Sequence, residues 1–240
     1  MFAKTDSLQE VIEASKILFL SVDVKPVMGL PICNHPYTDS TMASIEKSGT
    51  LTLVDITQEE NYLQWKALWF NLFKKATSIQ QLYYYVRNPY KLAFLHFSLP
   101  YVGKETFSKL LANAWVMEEN PSMDTNVKTK EIIKWFRACS PEKLMDENEL
   151  KVYENLEDHF IIYRGVTGAI NPYGLSWTTN KQKAIWFAQR YDGFSPKKGY
   201  VQSAIISKKD VLAYFNSRNE SELVVDVYKI KDKIKIENDI

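Results

Sequence analysis

The chain has 240 residues, 45% apolar and 25% charged, enough for a sizeable core and ordinary for a globular protein. Lysine plus arginine (30) against aspartate plus glutamate (29) leaves a net charge of +1, so no electrostatic preference for nucleic acid or a membrane surface follows. Two cysteines, Cys33 and Cys139, lie far apart, which argues against a disulfide framework and fits a reducing cytosol.

At the start of the chain, the apolar run Ile17-Leu18-Phe19-Leu20 is too short for a signal or a membrane span, and the expected location is cytoplasmic. The first 50 residues are ambiguous in periodicity. Ser48-Gly49-Thr50 followed by Leu51-Thr52-Leu53-Val54 predicts a turn and a strand. From Glu59 to Ala76, Tyr62, Trp65, Leu68, Trp69, Leu72 and Phe73 recur at helical spacing and predict one buried face. Phe107, Leu110, Leu111, Ala114 and Trp115 repeat the pattern, as do Ile132, Ile133, Trp135 and Phe136. Such stripes can serve as stacking platforms for bases or sugars, but their period is that of helix–helix packing.

The texture changes near residue 155. Phe160–Tyr163, Tyr200–Ile206 and Leu223–Tyr228 read as buried strands. Between the first two, Asn180 is placed to cap a helix from Lys181 to Arg190, with Ala184, Trp186, Phe187 and Ala188 largely inward. The expectation is a mainly helical region over 1–155 followed by a compact β-rich region over 156–240.

Three segments of the second region carry residues suited to chemistry. Arg164 sits at the expected end of the first strand, followed by Gly165, where the backbone can approach a ligand closely. A guanidinium there suits a pyrophosphate, although an arginine at a strand end is also a common structural ion pair. Ser176 and Thr178 alternate on a short strand, so their hydroxyls share a side. Thr178, Thr179 and Asn180 are equally placed to cap the following helix, whereas Ser176 lies too far upstream for that. Glu220 and Glu222 alternate at the entrance of the last strand, where two carboxylates on one face raise each other's proton affinity. A solvated strand entrance would look the same. Against a ribose, one carboxylate would stabilise an oxocarbenium-like state while the other orients an acceptor.

Taken in order, Tyr163-Arg164-Gly165, Ser176-Trp177-Thr178 and Glu220-Ser221-Glu222 resemble the Arg-Ser-Glu class of ADP-ribosyltransferases. The resemblance spans about residues 160–228, with Asp210 to Ser221 similar to the loop before the family's Glu-x-Glu strand. The preceding helical part looks like uncharacterised bacterial and phage-encoded proteins that share this second half. The fold implied is α+β, a helical N-terminal region packed on a small split β-sheet core of ADP-ribosyltransferase type, with residues 156–240 as the NAD-binding part. The cofactor implied is NAD, used as substrate, with no metal. Arg164 would contact the NAD phosphates and adenosine ribose, and the Gly165 backbone would hold the nicotinamide carboxamide. Ser176 would steady the nicotinamide ribose and support Glu222, with Thr178 alongside on the cofactor side. Glu222 would be the catalytic glutamate on the ribose hydroxyl, and Glu220 would favour a guanidinium acceptor. Tyr191 or Phe194 would supply a stacking ring from the covering segment. Trp177 is expected to point into the core.

The implied activity is transfer of ADP-ribose to a side chain of a target protein of unknown identity, arginine favoured. NAD hydrolysis and non-catalytic nucleotide binding are the alternatives. The setting would be the cytoplasm, a host's if the chain is phage-encoded, with no membrane partner and no direct sign of nucleic acid. Elsewhere, Cys33 and His35 lie two apart, but His96 and His159 complete no metal-ligand spacing. Asp124 reads as a turn residue or an acceptor-side contact.

Overall fold

A computed structural model of the chain describes residues 2–20, 22–27, 30–47, 49–118, 126–167, 172–190, 193 and 198–237. Helix and small sheets are mixed, compatible with the α+β class, and the chain divides into two units, Met1–Leu110 and Leu111–Ile240.

The first unit opens with helix α1 (Leu8–Ile17) and two antiparallel hairpins, β1 (Asp23–Val27) with β2 (Leu30–Asn34) and β3 (Met42–Lys47) with β4 (Thr50–Asp55). Gly49 closes the second hairpin at φ +79°, a left-handed conformation that glycine adopts without steric cost. Helices α2 (Glu59–Lys74), α3 (Ile79–Tyr85), α4 (Lys91–Ser98) and the start of α5 (Lys104–Met117) follow. The stripe expected on α2 is narrower than its spacing suggests. Trp65 and Phe73 are buried, whereas Leu68 and Leu72 remain 42% and 37% exposed. The face is set by rings rather than by leucines: Phe19 lies 4.9 Å from Trp65, and Tyr37 lies 5.1 Å from Trp69 and 5.2 Å from Phe73, centroid to centroid.

His35 is fully buried in this aromatic cluster. The Tyr37 N–H donates to its Nδ1 at 3.1 Å, and its Nε2 lies 2.9 Å from the Leu20 carbonyl oxygen. A carbonyl only accepts, so Nε2 carries the proton and the ring is the neutral tautomer. Burial, reinforced by the positive charge of Arg87, pulls its pKa down to about 4 against the opposing Leu20 bond. Both ring nitrogens are thus used by backbone, and Cys33, buried nearby in sequence, has its thiol pKa pushed up chiefly by burial.

In the second unit the rest of α5 contributes the buried residues Leu111, Ala114 and Trp115. Helix α6 (Thr129–Ala138) buries Ile132, Ile133, Trp135 and Phe136, the four residues of its apolar stripe. After α7 (Pro141–Leu144), α8 (Glu147–Glu154) begins at a capping box. Asp146 accepts from the N–H groups of Asn148 and Glu149, and Glu149 accepts back from Asp146 N–H.

Sheet follows at His159. Strands β5 (His159–Val166), β6 (Ser176–Thr178), β7 (Tyr200–Ser207), β8 (Val211–Phe215), β9 (Glu222–Val225) and β10 (Lys235–Ile236) form one sheet in the order β10-β7-β5-β6-β9-β8, every neighbouring pair antiparallel. Helix α9 (Lys181–Gln189) joins β6 to β7, and a short helix α10 (Val227–Ile230) follows β9. The change from helix to sheet falls between Glu154 and His159, while the division between the two units lies earlier, at Leu110–Leu111; α6 and α8 pack on β8.

Several elements differ from their sequence-based bounds for long-range reasons. β5 runs past Tyr163, because β7 pairs with it through Arg164↔Gln202, Gly165↔Val201 and Val166↔Tyr200. Arg164 and Gly165 are therefore inside a strand rather than beyond its end. The stretch from Asp210 to Ser221 is not all loop: β8 is buried throughout and pairs with β9 through a bulge between Val211 and Ala213. The last apolar run stops being strand at Val225. There Asp226 donates its N–H to the Asp210 carbonyl and pairs with Arg137 at 2.7 Å, and Val227 and Tyr228 become helical.

Asn180 caps α9 as expected, its side chain accepting from Lys183 N–H at 3.2 Å. Ala184 and Ala188, four apart, face the sheet, while Trp186 is 58% exposed; two residues along a helix turn by about 200°. The contact is close. A Cβ on Gly165 would lie 2.2 Å from the Ala184 carbonyl oxygen, and one on Gly199 would lie 1.8 Å from that of Ala188.

Gly165→Ala is therefore expected to lose about 1–3 kcal/mol through overpacking against α9, read as a lowered urea midpoint. His35 gives a second expectation. Between its unfolded value of about 6.5 and its folded value of about 4, the unfolded chain binds the proton more readily, so stability falls as pH drops through that window. Thermal melts against pH should show that slope, and His35→Gln should be less stable at neutral pH but flatter with pH.

Candidate functional site

The three segments singled out in the sequence occupy three adjacent strands. Arg164 is on β5, Ser176 opens β6 and Glu222 opens β9. β6 joins them, pairing Tyr163↔Thr178 on one side and Ser176↔Val224 and Thr178↔Glu222 on the other.

Glu222 is buried, yet it is a carboxylate, so its oxygens require donors. The Trp115 indole Nε1–H donates to Oε1 at 2.9 Å, and the Ser176 hydroxyl donates to the same carboxylate. Arg218 Nη2 lies 3.9 Å from Oε2. Burial raises the Glu222 pKa above its ordinary value. The Ser176 and Trp115 hydrogen bonds and the Arg218 charge pull it down, and Glu220 adds a push upward. Desolvation dominates, so this carboxyl holds its proton more tightly than one in water.

Arg164 is enclosed as well. Its Nη1 donates to the Ser176 carbonyl at 2.7 Å. The guanidinium lies against Gly174, where a Cβ would come within 2.1 Å of Nη2, so that space exists because residue 174 has no side chain. Burial draws the Arg164 pKa down to about 10, opposed by the negative charge of Glu222. The group stays cationic at neutral pH.

Ser176 thus has two connections, its hydroxyl on Glu222 and its carbonyl on Arg164. Thr178 has a mixed role. Its Oγ1 accepts from Asn180 N–H at 3.1 Å, which fixes the entry to α9, and donates to the Glu220 carbonyl at 3.4 Å. Trp177 between them is buried, its Nε1–H donating to the Gly174 carbonyl at 3.1 Å. Gly165 serves the packing of α9.

The glutamate pair is not built as alternation predicts. Glu220 precedes β9, and Asn219 and Ser221 take left-handed φ of +56° and +49°, so regular strand geometry does not relate the two carboxylates. Arg218 relates them instead, with Nη2 2.9 Å from Glu220 Oε2. The turn that carries these residues is held from three directions. Asn216 N–H donates to Glu149 Oε1 at 2.7 Å, and Ser221 N–H donates to Asn216 Oδ1 at 2.9 Å. Lys183 Nζ donates to the Asn219 carbonyl and to Ser221 Oγ.

Trp115 and Arg218 were not read as site residues in the sequence. Trp115 is 107 positions from Glu222 and sits in an apolar stripe; the one hint is an indole N–H that burial obliges to find an acceptor. Arg218 has a local hint, an arginine two residues before a glutamate pair. Tyr191, Phe194, Asp124 and Ser48 lie outside the described residues.

Chemically, the arrangement pairs two guanidinium groups with two carboxylates, one of each enclosed by protein. A carboxylate in such surroundings acts on a nearby cationic centre more strongly than in water. No family model matches this chain, and no curated protein or solved structure is similar to it.

Trp115→Phe keeps the ring packing on Phe136 (centroids 5.2 Å apart) but removes the donor to Glu222. It should destabilise the fold by about 1–3 kcal/mol and move the Glu222 pKa further up. Chemical denaturation and a carbon NMR titration of the glutamate carboxyls would show both.

Proposed function

We propose that the protein transfers ADP-ribose from NAD to a side chain of a target protein, arginine favoured, with the second unit as an ADP-ribosyltransferase-type core. The observation that carries this reading is the connected network Arg164–Ser176–Glu222, drawn from three separate segments onto three adjacent strands.

Each group has a role the chemistry requires. Glu222 would hold a ribose hydroxyl and offset the positive charge that develops on the ribose as the bond to nicotinamide breaks. Donors from Trp115 and Ser176 hold that carboxylate in place beforehand, so little reorganisation is needed at the moment of reaction. Arg164 stays cationic and would receive the phosphates. Gly165 and Thr178, beside it in the sheet, would border the nicotinamide side, and Glu220 would orient the acceptor guanidinium.

One observation favours hydrolysis of NAD as the second reading. Glu220 is already paired with Arg218 at 2.9 Å, and a guanidinium seated there leaves water as the acceptor for the ribose carbon.

Incubation with labelled NAD and cell lysate separates these outcomes. Transfer predicts label on protein, lowered at least about 100-fold in Glu222→Gln and lost in Glu220→Gln while nicotinamide release persists. Free ADP-ribose without protein label would favour hydrolysis; neither turnover nor NAD-dependent stabilisation of the folded protein would end the proposal. Because the reaction needs Glu222 ionised, the rate should fall as pH drops through its raised pKa.

A further inference from the structure

Lys91 opens α4 and is only 5% exposed. Its ammonium lies 4.2 Å from the centre of the Tyr83 ring and 5.3 Å from that of Tyr84. Among the described residues no hydrogen-bond acceptor meets it and no carboxylate pairs with it. Buried cations are ordinarily paired, and ring faces offset the lost water only in part. We propose that the turn between α3 and α4 is a binding site for a phosphate group, with Lys91 and Arg87 as its cationic ligands. The site belongs to the first unit and does not depend on the transfer reading.

Space for a ligand is present. The turn forms a concavity of about 400 Å³ whose lining includes Tyr84, Tyr85, Arg87, Asn88 and Lys91. Tyr84 is 66% exposed, so one ring of the pair beside the ammonium is open to solvent.

Donors there are unspent. The N–H bonds of Lys91 have no acceptor among the described residues. The Tyr85 hydroxyl accepts from Gln81 at 2.7 Å and keeps its own proton to give. Arg87 is fixed through Nη1, which donates to the Thr38 carbonyl at 2.9 Å and the His35 carbonyl at 3.2 Å. Its Nη2 has a looser contact, 3.5 Å from Asp39, whose side chain is 77% exposed and can turn away into water.

Charge selects an anion. Arg87 and Lys91 are four residues apart, and the first turn of α4, the positive end of that helix, carries no acid. Burial lowers the Lys91 pKa, and an anion seated beside it would restore its hold on the proton. A carboxylate has too few oxygens for the donors of Lys91, Arg87, Tyr85 and the Asn88 amide. The terminal oxygens of a phosphate suit them better.

The test titrates the full chain with inorganic phosphate, ribose 5-phosphate and acetate by calorimetry, and maps phosphate binding by amide NMR shifts. The expected result is phosphate binding with shifts confined to the turn from Tyr84 to Lys91. Affinity should fall at least about tenfold in Lys91→Met, and Asn88→Asp, an exposed change that adds a repelling charge, should also weaken it. Without phosphate, Lys91→Met should melt no lower than wild type, because it removes a buried charge that has no acid. Tighter binding of ribose 5-phosphate would show that the phosphate arrives on a sugar; equal binding would show that free phosphate suffices. Acetate binding as tight as phosphate would overturn the phosphate assignment. No phosphate binding, shifts elsewhere in the chain, or unchanged affinity in Lys91→Met would overturn the site. If Lys91→Met does not fold, unchanged affinity in Asn88→Asp overturns it instead.

Discussion

A carboxylate enclosed by protein is tolerated only where donors meet it, and the placement of Glu222 sets that demand on the second unit. Trp115 answers from α5 and Ser176 from the adjoining strand, while the positive charge of Arg218 lies 3.9 Å away in the preceding turn. Arg164 adds a second enclosed charge of opposite sign, tied through the Ser176 carbonyl. Removing Trp115 or Ser176 leaves the buried Glu222 carboxylate short of a donor, so these residues behave as a network rather than as independent contacts.

The sheet order makes this possible. β6 is three residues long, yet it lies between the strand carrying Arg164 and the strand carrying Glu222. Ser176 meets both charged neighbours, Glu222 through its hydroxyl and Arg164 through its carbonyl, and the central residue, Trp177, is buried. Small residues hold α9 at β5: Gly165 and Gly199 against Ala184 and Ala188, with no room for a Cβ at either glycine. Packing at this distance fixes where α9 begins, and its first turn supplies Lys183, which holds the turn bearing Arg218 and Glu220. Glu149 completes the support from α8, serving one capping box and one turn with its two oxygens.

Local chemistry was legible wherever a signal depends on near neighbours. Asn180 before Lys181 gave a cap, Gly49 ahead of Leu51–Val54 a turn into a strand, and the stripes of α5 and α6 gave buried faces. The signal failed where a distant partner decided the outcome. β5 extends through Arg164 and Gly165 because β7 offers hydrogen bonds to them, and β8 is a strand because β9 pairs with it. The exposure of Leu68 and Leu72 follows from where Phe19 and Tyr37 stand, which the α2 periodicity does not contain.

Sequence by itself determined the residue types of the site and their order, an arginine, a serine–threonine pair and two glutamates, because those are properties of composition and spacing. It also determined that the chain mixes helix and strand, since both periods are written into it. Tertiary structure alone decided that Arg164 is enclosed, that Ser176 connects it to Glu222, and that the two glutamates meet through Arg218 rather than along a strand. Burial is the reason. The same carboxylate or guanidinium changes its proton affinity and its need for partners once water is removed, and only the folded chain says which groups lose their water.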